Sequence, residues 1–162
     1  MEIRGETADD IPCIRLLLAE AFPSCAEAGL VDRLREDDSG VFSLVAVSGG
    51  QLAGHVMLSR MVRPGGALGL APVAVAAALR RQGIAAALIR EGLSRATVEG
   101  WASVFVFGDP DYYNRFGFTA LLAEGFASPY AGPHLMAVAL CADGLAQRAG
   151  ELCYPPAFAA LG

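Results

Sequence analysis

The sequence predicts one α/β domain with a mixed, mostly antiparallel sheet and helices on both faces. Three observations predict it. Apolar runs at residues 41–47 and 51–62 flank Ser48-Gly49-Gly50, a glycine pair suited to a tight hairpin turn and hence to an antiparallel pair. An apolar run at 68–75, a helix-period stretch at 84–98 and a further apolar run at 101–107 follow one another. Strand, helix, strand in that order is a crossover, which makes its two strands parallel. Two amphipathic stretches before the hairpin supply helices that each need a face to bury. The length of 162 residues suits a single domain with a sizeable core.

Each element has a local cause. Ile3 and Arg4 open a short first strand. Thr7 and Asp10 have capping-box spacing, and Pro12 suits a first helical turn. Ile11, Ile14, Leu17, Leu18 and Ala21 recur at helical period and form the buried face of that helix. Residues 27–36 suit a second helix with Leu30, Val31 and Leu34 inward. The return strand of the hairpin ends at the turn Arg63-Pro64-Gly65-Gly66. A proline lacks a ladder donor, so Pro72 in the next strand predicts a bulge that breaks pairing. In the helix at 84–98, Ala85, Leu88, Ile89, Gly92, Leu93 and Ala96 face inward, and Glu91 and Arg95 form an outer i,i+4 pair. Asp109 is a good N-cap, Pro110 fits the first helical position and Gly117 suits a left-handed C-cap. A single-turn helix is thus bracketed between them. Residues 134–140 read as a late strand, and the segment after Ala142 carries the weakest pattern.

Composition excludes several classes. A net charge of −5 opposes non-specific nucleic-acid binding and mildly favours cationic or amine partners. The chain has no lysine, its twelve basic residues all being arginine, which removes Schiff-base chemistry and the Walker phosphate loop. The dinucleotide pattern G-x-G-x-x-G is absent. The longest apolar stretch is too short to span a bilayer and holds Gly69 and Pro72. Met1-Glu2-Ile3-Arg4-Gly5 is no signal peptide, so a cytoplasmic location is expected, with no membrane partner. Cys13, Cys25, Cys141 and Cys153 form no C-x-x-C pair and are expected to be reduced. His55 and His134 lie far apart and no zinc spacing exists, so no metal is expected.

The segment that carries chemistry starts at Val73, Ala74 and Val75 and continues through Arg80-Arg81-Gln82-Gly83-Ile84-Ala85. A helix N-terminus exposes unpaired N–H groups and about half a positive charge. Arginines just ahead of it imply an anion, most simply a phosphate or pyrophosphate; the alternative is a solvated arginine pair. Arg80, Gly83 and Ala85 match [Q/R]-x-x-G-x-[G/A], which resembles the acyl-CoA pyrophosphate loop of the GNAT superfamily of N-acetyltransferases. A second match follows in Gly108-Asp109-Pro110-Asp111-Tyr112-Tyr113-Asn114-Arg115-Phe116-Gly117-Phe118. Its Tyr113, Gly117 and Phe118 resemble the corresponding segment of that family, and the longer wording is similar to its YhbS-like bacterial branch. Tyr154-Pro155-Pro156-Ala157-Phe158 resembles that branch's C-terminal signature, so the likeness runs from about Leu44 to Phe158.

The resemblance implies a GNAT-like sheet splayed at the CoA-binding strand, with the pantetheine arm lying in the splay. It implies that Val73 and Val75, with Ala74 between them, pair through their backbone with pantetheine amides. It implies that Arg80, Arg81, Gln82, Gly83, Ile84, Ala85 and Ala86 hold the pyrophosphate. Acetyl-CoA is the implied acyl donor, and Tyr113 is the implied acid that protonates the departing thiolate, with Tyr112 as alternative and a core aromatic role as the plain one. His55 lies on a strand that borders the cleft in that fold and has an unperturbed pKa suited to a base; Glu20 and Glu27 lie on the helices that line the acceptor side. The expected function is transfer of an acetyl group to a primary amine of a small molecule or peptide by direct attack in a ternary complex. The alternative is a non-catalytic acyl-CoA-binding sensor or assembly module. An exposed edge strand would permit a homodimer. Three departures from the family pattern are visible: Ala77 replaces a common proline, Ala85 replaces the second loop glycine, and a common asparagine after the strand ending at Phe107 has no counterpart.

Overall fold

The computed structural model describes residues 1–161. Its strands are β1 (Glu2–Gly5), β2 (Gly40–Ser48), β3 (Gln51–Arg60), β4 (Ala67–Val75), β5 (Ser103–Phe107), β6 (Phe126–Ala127), β7 (Leu135–Ala139) and β8 (Gly150–Glu151). Its α-helices are α1 (Ile11–Ala21), α2 (Ala26–Glu36), α3 (Ile84–Val98), α4 (Pro110–Tyr113) and α5 (Ala120–Ala123). Six strands form one sheet in the order β1-β2-β3-β4-β5-β7, and β6 pairs with β8. β1–β2, β2–β3 and β5–β7 are antiparallel, whereas β4–β5 is parallel across the α3 crossover. This is the mixed, mostly antiparallel sheet that the hairpin and crossover patterns predict. Among the described residues no helix is long and apolar enough to cross a membrane.

Contacts divide the chain into two compact units. The first holds residues 1–59, 71–92 and the C-terminal segment from 156; the second holds residues 60–70 and 93–155. In the first unit, Gly49 and Gly50 have φ of 58° and 77°, the left-handed pair that a two-residue hairpin turn requires. β3 is covered on both faces. A Cβ placed on Gly54 would lie 3.0 Å from Ile84 Cγ2 and Leu88 Cδ1, and one on Gly92 would lie 2.9 Å from Leu58 Cδ1, so α3 packs on the face carrying Gly54 and Leu58. On the other face, the space beside Gly40 is filled by Met57 Sδ and the Leu34 carbonyl of α2. Ile14, Leu17 and Leu18 of α1 and Leu30, Val31 and Leu34 of α2 are buried, each such side chain contributing about 1.5–3 kcal/mol. The Thr7–Asp10 capping box opens a short 3-10 turn at Ala8–Asp10, and α1 begins one residue later.

The second unit has its own core of Met61, Ala67, Phe105, Phe126, Leu135, Ala137, Leu145 and Leu152. Phe105 and Phe126 meet edge to face with ring centroids 5.1 Å apart. Leu145 and Leu152 come from the weakly patterned tail, which also supplies β8. β6 and β8 are two residues each, too short to show an alternating period.

β4 contributes to both units. It is in register with β5 from Ala67, opposite Ser103, to Gly69, opposite Phe105, and then runs on to Val75. The ladder with β5 therefore ends ahead of Pro72. Ala76 N–H donates to the Ala53 carbonyl of β3 at 2.8 Å. Alternate strand residues direct their backbone groups to opposite sides, so Val73 and Val75 turn theirs away from β3.

Candidate active site

The chain leaves β4 through a 3-10 turn at Ala77–Leu79 and enters α3 through Arg80-Arg81-Gln82-Gly83. Arg81 and Gly83 are both left-handed, with φ of 64° and 82°, and a non-glycine residue adopts this conformation infrequently. No atom lies within 4 Å of a Cβ built on Gly83, so backbone conformation and not crowding favours glycine there. The first internal bond of α3 runs from Ala87 N–H to Gly83 O at 3.0 Å. The amides of Ile84, Ala85 and Ala86 precede it and face out of the helix end. Residues 80–83 are exposed, and Arg80 Nε donates to the Val75 carbonyl at 3.3 Å, tying the turn to the end of β4. Outward amides, the positive helix end and two guanidiniums fit an anion of pyrophosphate type.

Tyr113 closes α4. Asp109 caps that turn, its Oδ1 accepting from Asp111 N–H at 3.0 Å, and its carbonyl accepts from Tyr113 N–H at 2.9 Å. Gly117 follows with φ of 94°, the predicted left-handed stop. The Tyr113 ring stands edge-on to Tyr112 and Phe118, with centroids 5.2 and 6.0 Å away. A Cβ on Gly108 would lie 2.5 Å from Tyr113 Cε2, so glycine is needed there to let the ring approach. Burial, with a smaller contribution from Tyr112, pushes the Tyr113 phenol up to about 12. Its hydroxyl therefore stays protonated at neutral pH and acts as a donor. Arg115 engages the other tyrosine: its guanidinium lies 4.5 Å from the centre of the Tyr112 ring and its Nε donates to Tyr112 O.

His55 is fully buried on β3, on the face opposite α3. Its Nε2 lies 2.8 Å from Ser43 Oγ on β2, and Ser43 Oγ donates in a short hydrogen bond to Glu6 Oε1. Arg35 of α2 forks the Glu6 carboxylate at 2.7 and 3.0 Å. Because Ser43 gives its proton to Glu6, it accepts from His55, which places the imidazole proton on Nε2 and leaves Nδ1 as the acceptor. Burial, partly offset by Glu6 and reinforced by Arg35, pushes the His55 pKa down to about 4. Burial raises the Glu6 pKa, but the hydrogen bonds from Arg35 and Ser43 outweigh it and leave the carboxyl below its usual range.

Val73, Ala74 and Val75 end β4, and residues 80–86 follow it in the chain after the 3-10 turn, with Ala74 buried and Val73 and Val75 half-buried. Sequence reasoning missed Glu6, Ser43 and Arg35 around His55. Ser43 had a usable signal, a polar residue interrupting an apolar strand on the same face as His55 once the hairpin register is known. Glu6 and Arg35 stand 29 residues apart and share no spacing. The four cysteines are free thiols.

The acetyltransferase (GNAT) family matches residues 11–118. YhbS of Escherichia coli strain K12, described as an uncharacterized N-acetyltransferase, is 44% identical over 122 residues, 73% of each chain. YjhQ of the same strain, described in the same terms, is 34% identical over 132 residues, covering 76% of this chain and 73% of its own. The crystal structure of Escherichia coli YhbS in complex with CoA superimposes with a TM-score of 0.92 at 36% identity, over 99% of this chain and 93% of that one. A GNAT family acetyltransferase from Brucella melitensis in complex with acetyl-CoA superimposes with a TM-score of 0.82 at 31% identity, over 97% of both chains.

Proposed function

The chain belongs to the acetyltransferase (GNAT) family, and we propose that it transfers an acetyl group from acetyl-CoA to a primary amine by direct attack while both substrates are bound. The observation that carries this is the left-handed basic turn that aims the first amides of α3 outward. The CoA and acetyl-CoA held by the two similar structures support it. In this reading residues 80–86 bind the pyrophosphate mainly through backbone amides, and Val73 and Val75 pair with the pantetheine amides. The amine nitrogen bonds to the thioester carbonyl carbon, the carbon–sulfur bond breaks, and the products are an N-acetyl amide and the CoA thiol.

Two proton movements accompany that exchange. A free alkylamine has a pKa of about 10.4 and is mostly protonated at neutral pH, so protons must leave nitrogen. Water takes them, and His55 Nδ1, fully buried and a weak resting base, serves only as the inner end of a water relay once carbon–nitrogen bonding has acidified the N–H. Tyr113 meets the leaving sulfur. A thiol pKa of about 8.5 lies below that of Tyr113, so full proton transfer is uphill by about 5 kcal/mol. Tyr113 therefore acts as a hydrogen-bond donor that lowers the cost of the developing thiolate, and water completes its protonation.

Isothermal titration with acetyl-CoA tests the reading. Micromolar binding is expected for the natural chain, with affinity at least about tenfold weaker when Arg80→Glu and Arg81→Glu are combined. Absence of binding at millimolar acetyl-CoA would remove both the pyrophosphate turn and the transferase assignment. Binding without turnover on any amine would instead mark a non-catalytic acyl-CoA module.

A further inference from the structure

β5 ends on an aromatic ring that the core of the second unit leaves open. Phe105 and Phe107 point to the same side of that strand. Phe105 is buried with Phe126 edge-on to it, whereas Phe107 is 54% exposed. Single exposed apolar side chains are ordinary on a surface, but Phe107 has company. The Tyr130 ring lies 5.4 Å away at 46°, and the exposed His134 ring lies 6.1 Å away at 59°. Both come from the segment between β6 and β7. Ser128 fixes Tyr130 there, its Oγ accepting from Tyr130 N–H and its carbonyl from Ala131 N–H, each at 3.1 Å. The His134 carbonyl accepts from Gly108 N–H at 3.0 Å, one step past the Phe107–Leu135 pair of the β5–β7 ladder.

The cluster is backed by the C-terminal signature. Tyr130 meets Tyr154 edge to face at 5.2 Å. Tyr154 in turn packs on β4, where a Cβ on Gly69 would lie 3.0 Å from its Cε2. Gly69 is the last β4 residue in register with β5. All of these residues belong to the second unit. Two observations say what the open ring serves. Phe107 is followed by Gly108, against which the Tyr113 ring packs, so the open ring adjoins the one that meets the leaving sulfur. One phenyl ring with two flanking rings is also far smaller than the roughly 800 Å² per partner of a stable protein interface. It suits a flat group of its own size, because aromatic rings pair offset or edge-on with centroids about 4.5–7 Å apart.

We propose that Phe107, flanked by Tyr130 and His134, receives the aryl group of the acceptor, which is therefore a small arylalkylamine. The proposal rests on the transferase reading for the amine as substrate, while recognition of the ring is testable without turnover. The probes are phenethylamine and n-butylamine, compared by thiol release with acetyl-CoA and by calorimetric titration with no acetyl donor present. In the natural chain kcat/KM for phenethylamine should exceed that for butylamine at least about tenfold. Phe107→Ala should bring the two amines within about twofold of each other, and Phe107→Tyr, which keeps a ring, should retain most of the preference. Without donor, phenethylamine should bind the natural chain at least about fivefold more tightly than Phe107→Ala. Equal use of both amines by the natural chain, or a preference that survives Phe107→Ala, would overturn the proposal. So would a matching fall in CoA affinity in Phe107→Ala, which would give the ring to the adenine of CoA, or a dimer that Phe107→Ala dissociates, which would give it to a second copy. Absence of turnover on every amine, with Phe107-dependent binding of phenethylamine intact, would defeat the transferase reading and leave the aryl site standing.

Discussion

The turn at Arg80–Gly83 and the polar side chains Tyr113 and His55 present chemistry in opposite ways. In the turn the outward groups are backbone amides and exposed guanidiniums, and what sets them is the left-handed conformation at Arg81 and Gly83. At Tyr113 and His55 the polar atom is on a side chain, and what matters is the packing that holds it. Two glycines make the contrast concrete. Gly83 has open space around it and a φ of 82°, whereas Gly108 has the Tyr113 ring 2.5 Å from where a Cβ would sit. One glycine is chosen for its own dihedral, the other for a neighbour brought close by folding. A backbone-built site is specified over a few residues; a packed site needs the rest of the chain.

The packed side should respond most strongly. His55 has an ordinary pKa of 6.5 and about 4 in the fold, so between those values the unfolded chain binds the extra proton. Stability is then fully present above about pH 6.5 and is lost as pH falls toward 4, by about 3 kcal/mol from this group. Glu6, held low, adds to the loss at still lower pH. Urea unfolding at neutral pH and near pH 4.5 should show the drop, and His55→Gln should flatten the part above pH 4.5. An unchanged slope in that variant would remove His55 from the buried chain.

Next in size is Tyr113→Phe, expected to lower kcat about a hundredfold while leaving acetyl-CoA affinity unchanged by titration. Equal, modest effects on both would return Tyr113 to a packing role beside Phe116 and Phe118. Smaller effects should separate the two glycines. Gly108→Ala forces the Tyr113 ring aside and should cost about 1–3 kcal/mol of stability together with turnover. Gly83→Ala meets no atom, so its cost is the left-handed conformation, about 1 kcal/mol, with acetyl-CoA affinity falling as the turn relaxes. If the two variants behaved alike, the distinction between a backbone-built and a packing-built site would fail.

Much of the local structure was legible in advance. The turn at Gly49-Gly50, the cap at Asp109, the stop at Gly117 and the bounds of α3 all follow from interactions within a few residues. The tail was not, because Leu145 and Leu152 are buried by partners distant in sequence, Phe105 and Phe126 among them, and two-residue strands carry no period. The chain around His55 was also hidden. Its members come from residue 6, α2, β2 and β3, and no spacing links them.

By itself the sequence determined the alternation of strands and helices, the caps and the glycine-bearing basic turn. These depend on steric limits and hydrogen bonds that close over three or four residues. Only the tertiary structure decided that Gly108 makes room for Tyr113, that Ser43 orients His55, and that His55 Nδ1 is buried with no partner among the described residues. Those outcomes depend on which distant groups share a low-dielectric interior. Burial and unmet hydrogen bonding arise only when the chain has packed.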